Sequence, residues 1–308
     1  MSVEEMLQKA IDTTDLAAGG LLGPEQSQKF TDLVVDQSVM LKEARVVRMR
    51  SAVTEIDRIA TTGRVSQLKS EGVAPENLSE PAFSKVTLTA VDIITPFELT
   101  FEALEDNIAG GNLEETVIRV MAKQTATDLE ELAIQGDTAS ADTFLAGMDG
   151  WRVLAEDGHV VDLEGATLDK DALGAMFRAL PDKYKRNYGD LRYYFAPALS
   201  QDWHDTFADR GTSIGDKALL GAQVPPYMGV PLITVPAIPT NLGTGEDQSY
   251  GFLTPRDNLI FGIHREIRID KDKDVLRGVN IYAITTRVAV EFENDDAVVV
   301  AVNVGKTG

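Results

Sequence analysis

The chain has 308 residues and 29 Lys and Arg against 49 Asp and Glu, a net charge of −20; its 44% hydrophobic and 25% charged composition suits roughly two globular domains and argues against wholesale disorder. Having no cysteine, it has no disulfides, zinc ribbons, iron–sulfur clusters or thiol nucleophiles, and a pI near 4.5 counts against a surface that grips duplex DNA through clustered Lys and Arg. The acidic start Met1-Ser2-Val3-Glu4-Glu5-Met6, with no apolar run near the roughly 18 residues of a membrane span, argues for a soluble, intracellular product without signal peptide or membrane helix.

Residues 1–24 are small and polar and close on Gly19-Gly20-Leu21-Leu22-Gly23-Pro24, which reads as an extended arm. From Glu25 the spacing of Phe30, Leu33, Val34 and Leu41 predicts an amphipathic helix, with Pro24 placed as a first-turn proline. Val46–Arg50 and Ser51–Ile59 read as two strands. Residues 61–82, rich in glycine and proline, read as a long loop, and alternation of Val86, Leu88 and Ala90 with Thr87 and Thr89 marks a further strand. A loop that long inside a compact domain usually has a task.

Charge divides sharply here. Residues 42–69 carry seven basic side chains (Lys42, Arg45, Arg48, Arg50, Arg58, Arg64, Lys69) against Glu43, Glu55 and Asp57, a net of +4. Residues 71–115 carry Lys85 against ten acidic side chains, a net of −9. Either these are two solvated faces, or the basic segment lies over acidic surface on its own or a neighbouring copy.

Leu113–Gln135 contains no glycine or proline, has Asn112 as N-cap with Glu114 and Glu115 in the first turn, and stops at Gly136. At 1.5 Å per residue this helix runs about 35 Å. Residues 137–165 are turn-rich around Gly150-Trp151. Leu168–Leu180 reads as a helix stopped by Pro181, Leu191–Ala196 as a strand, Ala198–Arg210 as a helix and Leu232–Val235 as a short strand. Strands follow at Asn258–Ile263, Glu266–Asp270, Val279–Phe292 and Ala297–Val304, with turns at Lys271–Asp274 and Asn294–Asp296. The fold class is α+β.

No set of residues stands out as catalytic, cofactor-binding or metal-binding. Gly211-Thr212-Ser213-Ile214-Gly215 spells the G-x-S-x-G elbow of serine hydrolases, and Ser213, Asp257 and His264 can be drawn as a triad. The elbow needs a strand before it and a helix after it; here a helical segment precedes and no helix of length follows, so a glycine-flanked loop serine is the plainer reading. Asp270-Lys271-Asp272-Lys273-Asp274 opens like a calcium loop, but Val275 stands where glycine is needed and Ile281 where glutamate is needed, which leaves a solvated hairpin turn. His159, His204 and His264 are isolated, and Gly19-Gly20-x-x-Gly23 follows no strand, so it is no phosphate loop.

The order of parts resembles a known family. Gly20–Glu25 running into Val34-Val35-Asp36, a Val46–Ile59 hairpin, Pro96-Phe97-Glu98-Leu99-Thr100, the helix ending Glu130–Asp137, Gly150-Trp151, Leu180-Pro181-x-x-Tyr184, Tyr193–Ala196 and Met228-Gly229-Val230-Pro231-Leu232 resemble, in sequence and order, the Hong Kong 97 (HK97-like) capsid family of tailed bacteriophages. The resemblance spans nearly the whole chain. It implies an N-arm at 1–44, an extended E-loop at 45–95, a P-domain at 96–155 with its spine helix at 113–136, an A-domain at 156–256, and strands at 257–308 that return to the P-domain, the last rejoining the A-domain.

It further implies a major capsid protein that self-assembles through hexamers and pentamers into an icosahedral virion head, assembled in the host cytoplasm and enclosing double-stranded DNA without sequence-specific binding. The implied partners are a separate scaffolding protein, or in its place a cleaved N-terminal segment, since no scaffolding extension precedes the arm, together with a portal and a decoration protein. Lys69 lies in the E-loop, but the asparagine and glutamate of the family's isopeptide cross-link have no match, so no cross-link is expected. An encapsulin-like compartment shell and a serine hydrolase acting through Ser213 are the alternatives.

Overall fold

The computed structural model describes residues 38–60, 66, 82–102, 113–208 and 226–307. The arm before residue 38, the loop residue Lys69, the cap Asn112 and Ser213 lie outside the described residues.

Helix α1 (Val39–Glu43) leads into β1 (Arg45–Arg48), followed by β2 (Val53–Ala60), β3 (Ala82–Thr89) and β4 (Val91–Thr100). The long helix α2 (Leu113–Gln135) and short α3 (Trp151–Leu154) come next, then β5 (His159–Asp162), α4 (Lys170–Ala179), β6 (Leu191–Phe195), α5 (Pro197–Ala208), β7 (Leu232–Thr234) and β8 (Gln248–Pro255). The chain closes with β9 (Leu259–Asp274), β10 (Val279–Phe292) and β11 (Val299–Gly305).

Three sheets result, in the orders β1-β9-β10-β4, β5-β11-β8-β6-β7 and β2-β3. Helix α2 turns Ile118, Ala122, Ala126, Leu129, Leu132 and Ala133 into the core, a stripe of helical period. It reaches the first sheet through the Thr125–Thr95 hydroxyl contact and through Lys271 of β9, which holds Glu114 at 2.6 Å. On that face of the sheet Phe97 stacks on Tyr282 at 5.0 Å. The α+β class holds. One contiguous cluster of buried side chains runs through both large sheets.

Four readings from sequence are corrected. The Val46–Ile59 segment is not a hairpin: β1 pairs in parallel with β9, and β2 pairs antiparallel with β3, Val53 opposite Thr89. The strands expected at Asn258–Ile263 and Glu266–Asp270 are one strand, β9; its ladder to β10 shifts register at Thr285–Val288, and this irregularity is what broke the apolar alternation. Lys271–Asp274 belong to that strand, not to a turn. The turn is Val275–Gly278, where Asp274 Oδ1 accepts the N–H groups of Leu276 and Arg277 and Gly278 takes φ 65°. Strands β4, β5 and β8 went unread; β8 is buried along almost its whole length on both faces, so it lacks alternation.

Backbone approaches backbone where α2 ends. Gly136 N–H closes the helix on the Leu132 carbonyl, and Gly150 N–H donates to the Gly136 carbonyl at 2.8 Å. A Cβ on Gly150 would stand 2.7 Å from Gly136 N and 2.9 Å from Ala133 O, and neither backbone atom can rotate away. Trp151, fully buried, begins α3 directly after this crossing.

Earlier on the same helix, Glu130 of α2 is buried and its Oε1 accepts the Met40 N–H at 2.7 Å; the Val39 N–H donates to the same carboxyl. This carboxylate supplies the cap that Ser38 does not provide for α1, tying the chain that enters from the arm to the long helix. Burial pushes the Glu130 carboxyl up, and these two N–H groups oppose that shift.

Two outcomes follow. Gly150→Ala should destabilise the subunit by about 2–3 kcal/mol, read as a lower melting temperature by circular dichroism and an earlier loss of Trp151 fluorescence. Glu130→Ala leaves two buried N–H groups without an acceptor, a local cost of about 1–3 kcal/mol. Trypsin should then cut faster at Lys42 and Arg45, whereas Glu130→Gln, which keeps an acceptor oxygen, should stay close to wild type.

Candidate assembly surface

The β2–β3 ribbon alternates strictly. Thr54, Ile56 and Arg58 with Val86 and Leu88 face the body, while Val53, Glu55 and Asp57 with Phe83, Lys85, Thr87 and Thr89 face outward. A two-stranded ribbon alone is marginal in water. This one rests on a small second core of Met49, Leu88, Ile260 and Ala289, with Val47, Ile56 and Ala90 around it. Gly262 makes that core possible, since a Cβ there would stand 2.8 Å from Met49 Sδ. Ala90 N–H to the Ala52 carbonyl at 2.8 Å closes the base of the ribbon.

Charge fixes the seat. Arg58 donates from the inner face to the Glu293 carbonyl at 2.7 Å, Arg45 pairs with Glu293 at 2.8 Å, and Arg48 reaches Glu266 at 3.5 Å. Lys85 pairs with Glu55 across the ribbon. Of the two readings for the basic segment, these contacts give acidic and carbonyl partners on the same chain. Exposed pairs of this kind are each worth about 0–1 kcal/mol, so they set direction more than strength.

The outer side carries Phe83, 72% exposed, beside the end of the ribbon. Beyond the ribbon's footprint, β4 sets Ile94 and Pro96 opposite Thr285 and Ala283 of β10, and Ile94 is exposed. Asp92 on the same strand takes Arg265 and Arg287 together; the Arg287 hydrogen bond first, and Arg265 after it, hold its carboxyl below the usual range. A second projection is the β9–β10 turn, where Leu276 is 99% exposed and Val275 stands beside it. Leu276, Val275 and Phe83 are the most exposed large apolar side chains among the described residues.

Ser213 lies outside the described residues; of the other two members of the drawn triad, Asp257 sits exposed on the short turn before β9 and His264 lies within that strand. Asp270–Asp274 alternate along β9, with Asp270 held by Arg268 and Lys273 set 4.6 Å from the Phe101 ring. Among the described residues no group of three His, Cys, Asp or Glu stands ready for a metal ion, and no described helix is long and apolar enough to cross a membrane. His159 lies in β5, His204 in α5 and His264 in β9.

What sequence reasoning missed is the second core: Met49 and Leu88 were legible as apolar, but their meeting with Ile260 and Ala289 depends on strands some 200 residues away in the chain. The one signal was Gly262, an unexplained glycine inside an apolar strand.

Comparison with known proteins agrees with this architecture. The sequence pattern of the phage capsid family matches residues 18–303. The prophage capsid protein YqbE of Bacillus subtilis (strain 168) is 35% identical over 311 residues, covering 99% of each chain. Among solved structures, the satellite phage P4 procapsid that includes the size determination (Sid) protein superposes with a TM-score of 0.67 at 14% identity over 94% of each chain. The capsid of an empty GTA particle gives 0.62 at 14% identity over 87% of this chain and 90% of that one. Gordonia phage Cozz gives 0.60 at 15% identity over 86% of each. Those structures speak for the fold, which is HK97-like. The sequence matches go further: the chain belongs to the phage capsid family and is a structural, non-enzymatic major capsid protein, a building unit of the phage head shell.

Proposed function

We propose that this subunit closes into an icosahedral head of hexamers and pentamers around packaged double-stranded DNA, with residues 1–44 as arm, 45–95 as the E-loop that reaches a neighbour, 96–155 as the peripheral domain with its spine helix, 156–256 as the axial domain, and 257–308 as strands that complete both. The observation that carries this reading is the full-length likeness to a prophage capsid protein combined with a two-stranded ribbon that buries only one face. Strand β4 runs unbroken from Val91 to Thr100, so the E-loop hands the chain to the four-stranded sheet within a single strand. Strand β11 lies between β5 and β8, which makes the C-terminal strand part of the axial sheet.

The charge of −20 supports a genome container. A basic wall would hold DNA by counterion release, whereas an acidic one lets it move during packaging. Assembly takes place in the host cytoplasm, with a separate scaffolding protein setting curvature, a portal at one vertex and a decoration protein on the outside. Each subunit contact is modest, and its repetition over the shell makes the whole robust.

The full chain, expressed with and without its neighbouring head genes, should give hollow spheres, rings or capsomers in electron micrographs, and particles filled in vivo should protect double-stranded DNA from nuclease. A compact monomer under all these conditions, or a shell filled with enzyme cargo in place of DNA, overturns the reading. Reversing the basic residues of β1 and the ribbon in Arg48→Glu, Arg50→Glu and Arg58→Glu together should leave soluble subunits that no longer sediment as closed shells.

A further inference from the structure

The chain passes from the first large sheet to the second through residues 293–298, and this crossing gathers groups from five other stretches. Arg45 of β1 and Arg58 of the ribbon both hold Glu293, at 2.8 Å on the carboxylate and 2.7 Å on the carbonyl. Lys183, from the turn after α4, holds Asp296 at 2.8 Å. Asn258 grips Asn294 from both sides, accepting its N–H at 2.8 Å and donating to its carbonyl at 3.1 Å. The segment 155–158 presses against the same turn so closely that a Cβ on Gly158 would stand 2.5 Å from Asp295 O and 2.6 Å from Val298 Cγ1. Trp151 donates its ring N–H to the Glu291 carbonyl at 3.3 Å.

Negative charge is crowded into this contact. Glu291, at the end of β10, faces Asp295 of the turn, Asp157 of the pressed segment and Asp149 ahead of α3. Asp295 in turn faces Asp157, Asp296 and Arg58, and Asp296 faces Lys183, His159 and Arg58. With Glu293, six carboxylates meet the three permanent cations Arg45, Arg58 and Lys183. The cations stand on the ribbon, β1 and the second domain, so each of those parts is held to this one turn.

We propose that the 293–298 turn is a proton-operated clamp on the ribbon: with Glu291 neutral the turn seats against residues 155–158 and holds Arg58, and with Glu291 ionised the repulsion from Asp149, Asp157 and Asp295 prises the turn outward and loosens that seat. The sign follows from burial. Desolvation first, then those three carboxylates, push the Glu291 carboxyl up to about 7, against a single opposing N–H from Phe292. The folded form therefore binds a proton that the unfolded chain releases, so this group favours the closed form below neutrality and loses that contribution as pH rises through about 7. The device sits within one subunit, and it can fail while the shell reading stands.

Hydrogen–deuterium exchange on the full-length protein tests it, with rates corrected for the intrinsic effect of pH. Amides of residues 53–60, 155–160 and 292–298 should exchange about tenfold faster at about pH 8 than at about pH 6, while those of β6 and β8 keep their protection. Glu291→Gln should hold those three segments at their pH 6 protection across the range. Arg58→Gln should free residues 53–60 at both pH values and leave the response of 155–160 unchanged. Persistence of the wild-type response in Glu291→Gln, a response shared equally by β6 and β8, or a wild-type midpoint in the ordinary carboxylate range each overturns the proposal; should Glu291→Gln fail to fold, which β6 and β8 report, the wild-type midpoint decides alone.

Discussion

A two-stranded ribbon buries one face at most, and in water that is too little to hold it in one orientation. In this subunit the face is occupied by Ile56, Val86 and Leu88, and what receives it is Met49, Ile260 and Ala289 of a satellite core rather than the main one. The remaining architecture is arranged around that seat. Gly262 gives up its side chain so that Met49 can enter, β1 runs parallel to β9 so that Met49 arrives at the right height, and Arg58 fixes the ribbon to the end of β10. The ribbon is thus held at its base by contacts that are real but few, and its outer face, with Phe83, stays exposed on the subunit.

The body behind the ribbon is stiffer. Helix α2 lies along the first large sheet with a stripe of alanines and leucines, and its last turn is closed by the crossing of Gly136 and Gly150, where two backbones meet without room for a methyl group. Close packing of this kind yields little under load.

Electrostatics follow the same division. The chain carries a charge of −20, yet its arginines near the ribbon are gathered onto acidic groups and carbonyls of the same subunit: Arg45 and Arg58 on Glu293, Arg265 and Arg287 on Asp92. Pairs this exposed add little stability. Their value is directional: Arg58 ties the ribbon to the end of β10, and the others link strands within the first large sheet. The crossing from β10 to β11 concentrates these attachments, and there the half-buried Glu291 lies among other carboxylates, so the attachment of the ribbon is tied to the protonation of Glu291.

The sequence by itself determined the elements whose order is carried by neighbours along the chain. Leu113–Gln135 is a helix because twenty-three residues without glycine or proline keep a helical apolar stripe and Gly136 ends it, and Val279–Phe292 is a strand because its apolar residues alternate. The likeness to a capsid subunit was legible for the same reason, as a succession of such local patterns. Tertiary structure alone decided which strand lies beside which. It gave β1 a partner more than 200 residues away, hid β8 by burying both of its faces, merged two apparent strands into β9 across a register shift, and brought Glu291 beside Asp149 and Asp157. Local periodicity records how a segment turns its own side chains; it holds no record of what the segment will meet, because those contacts form only when distant parts of the chain close on one core.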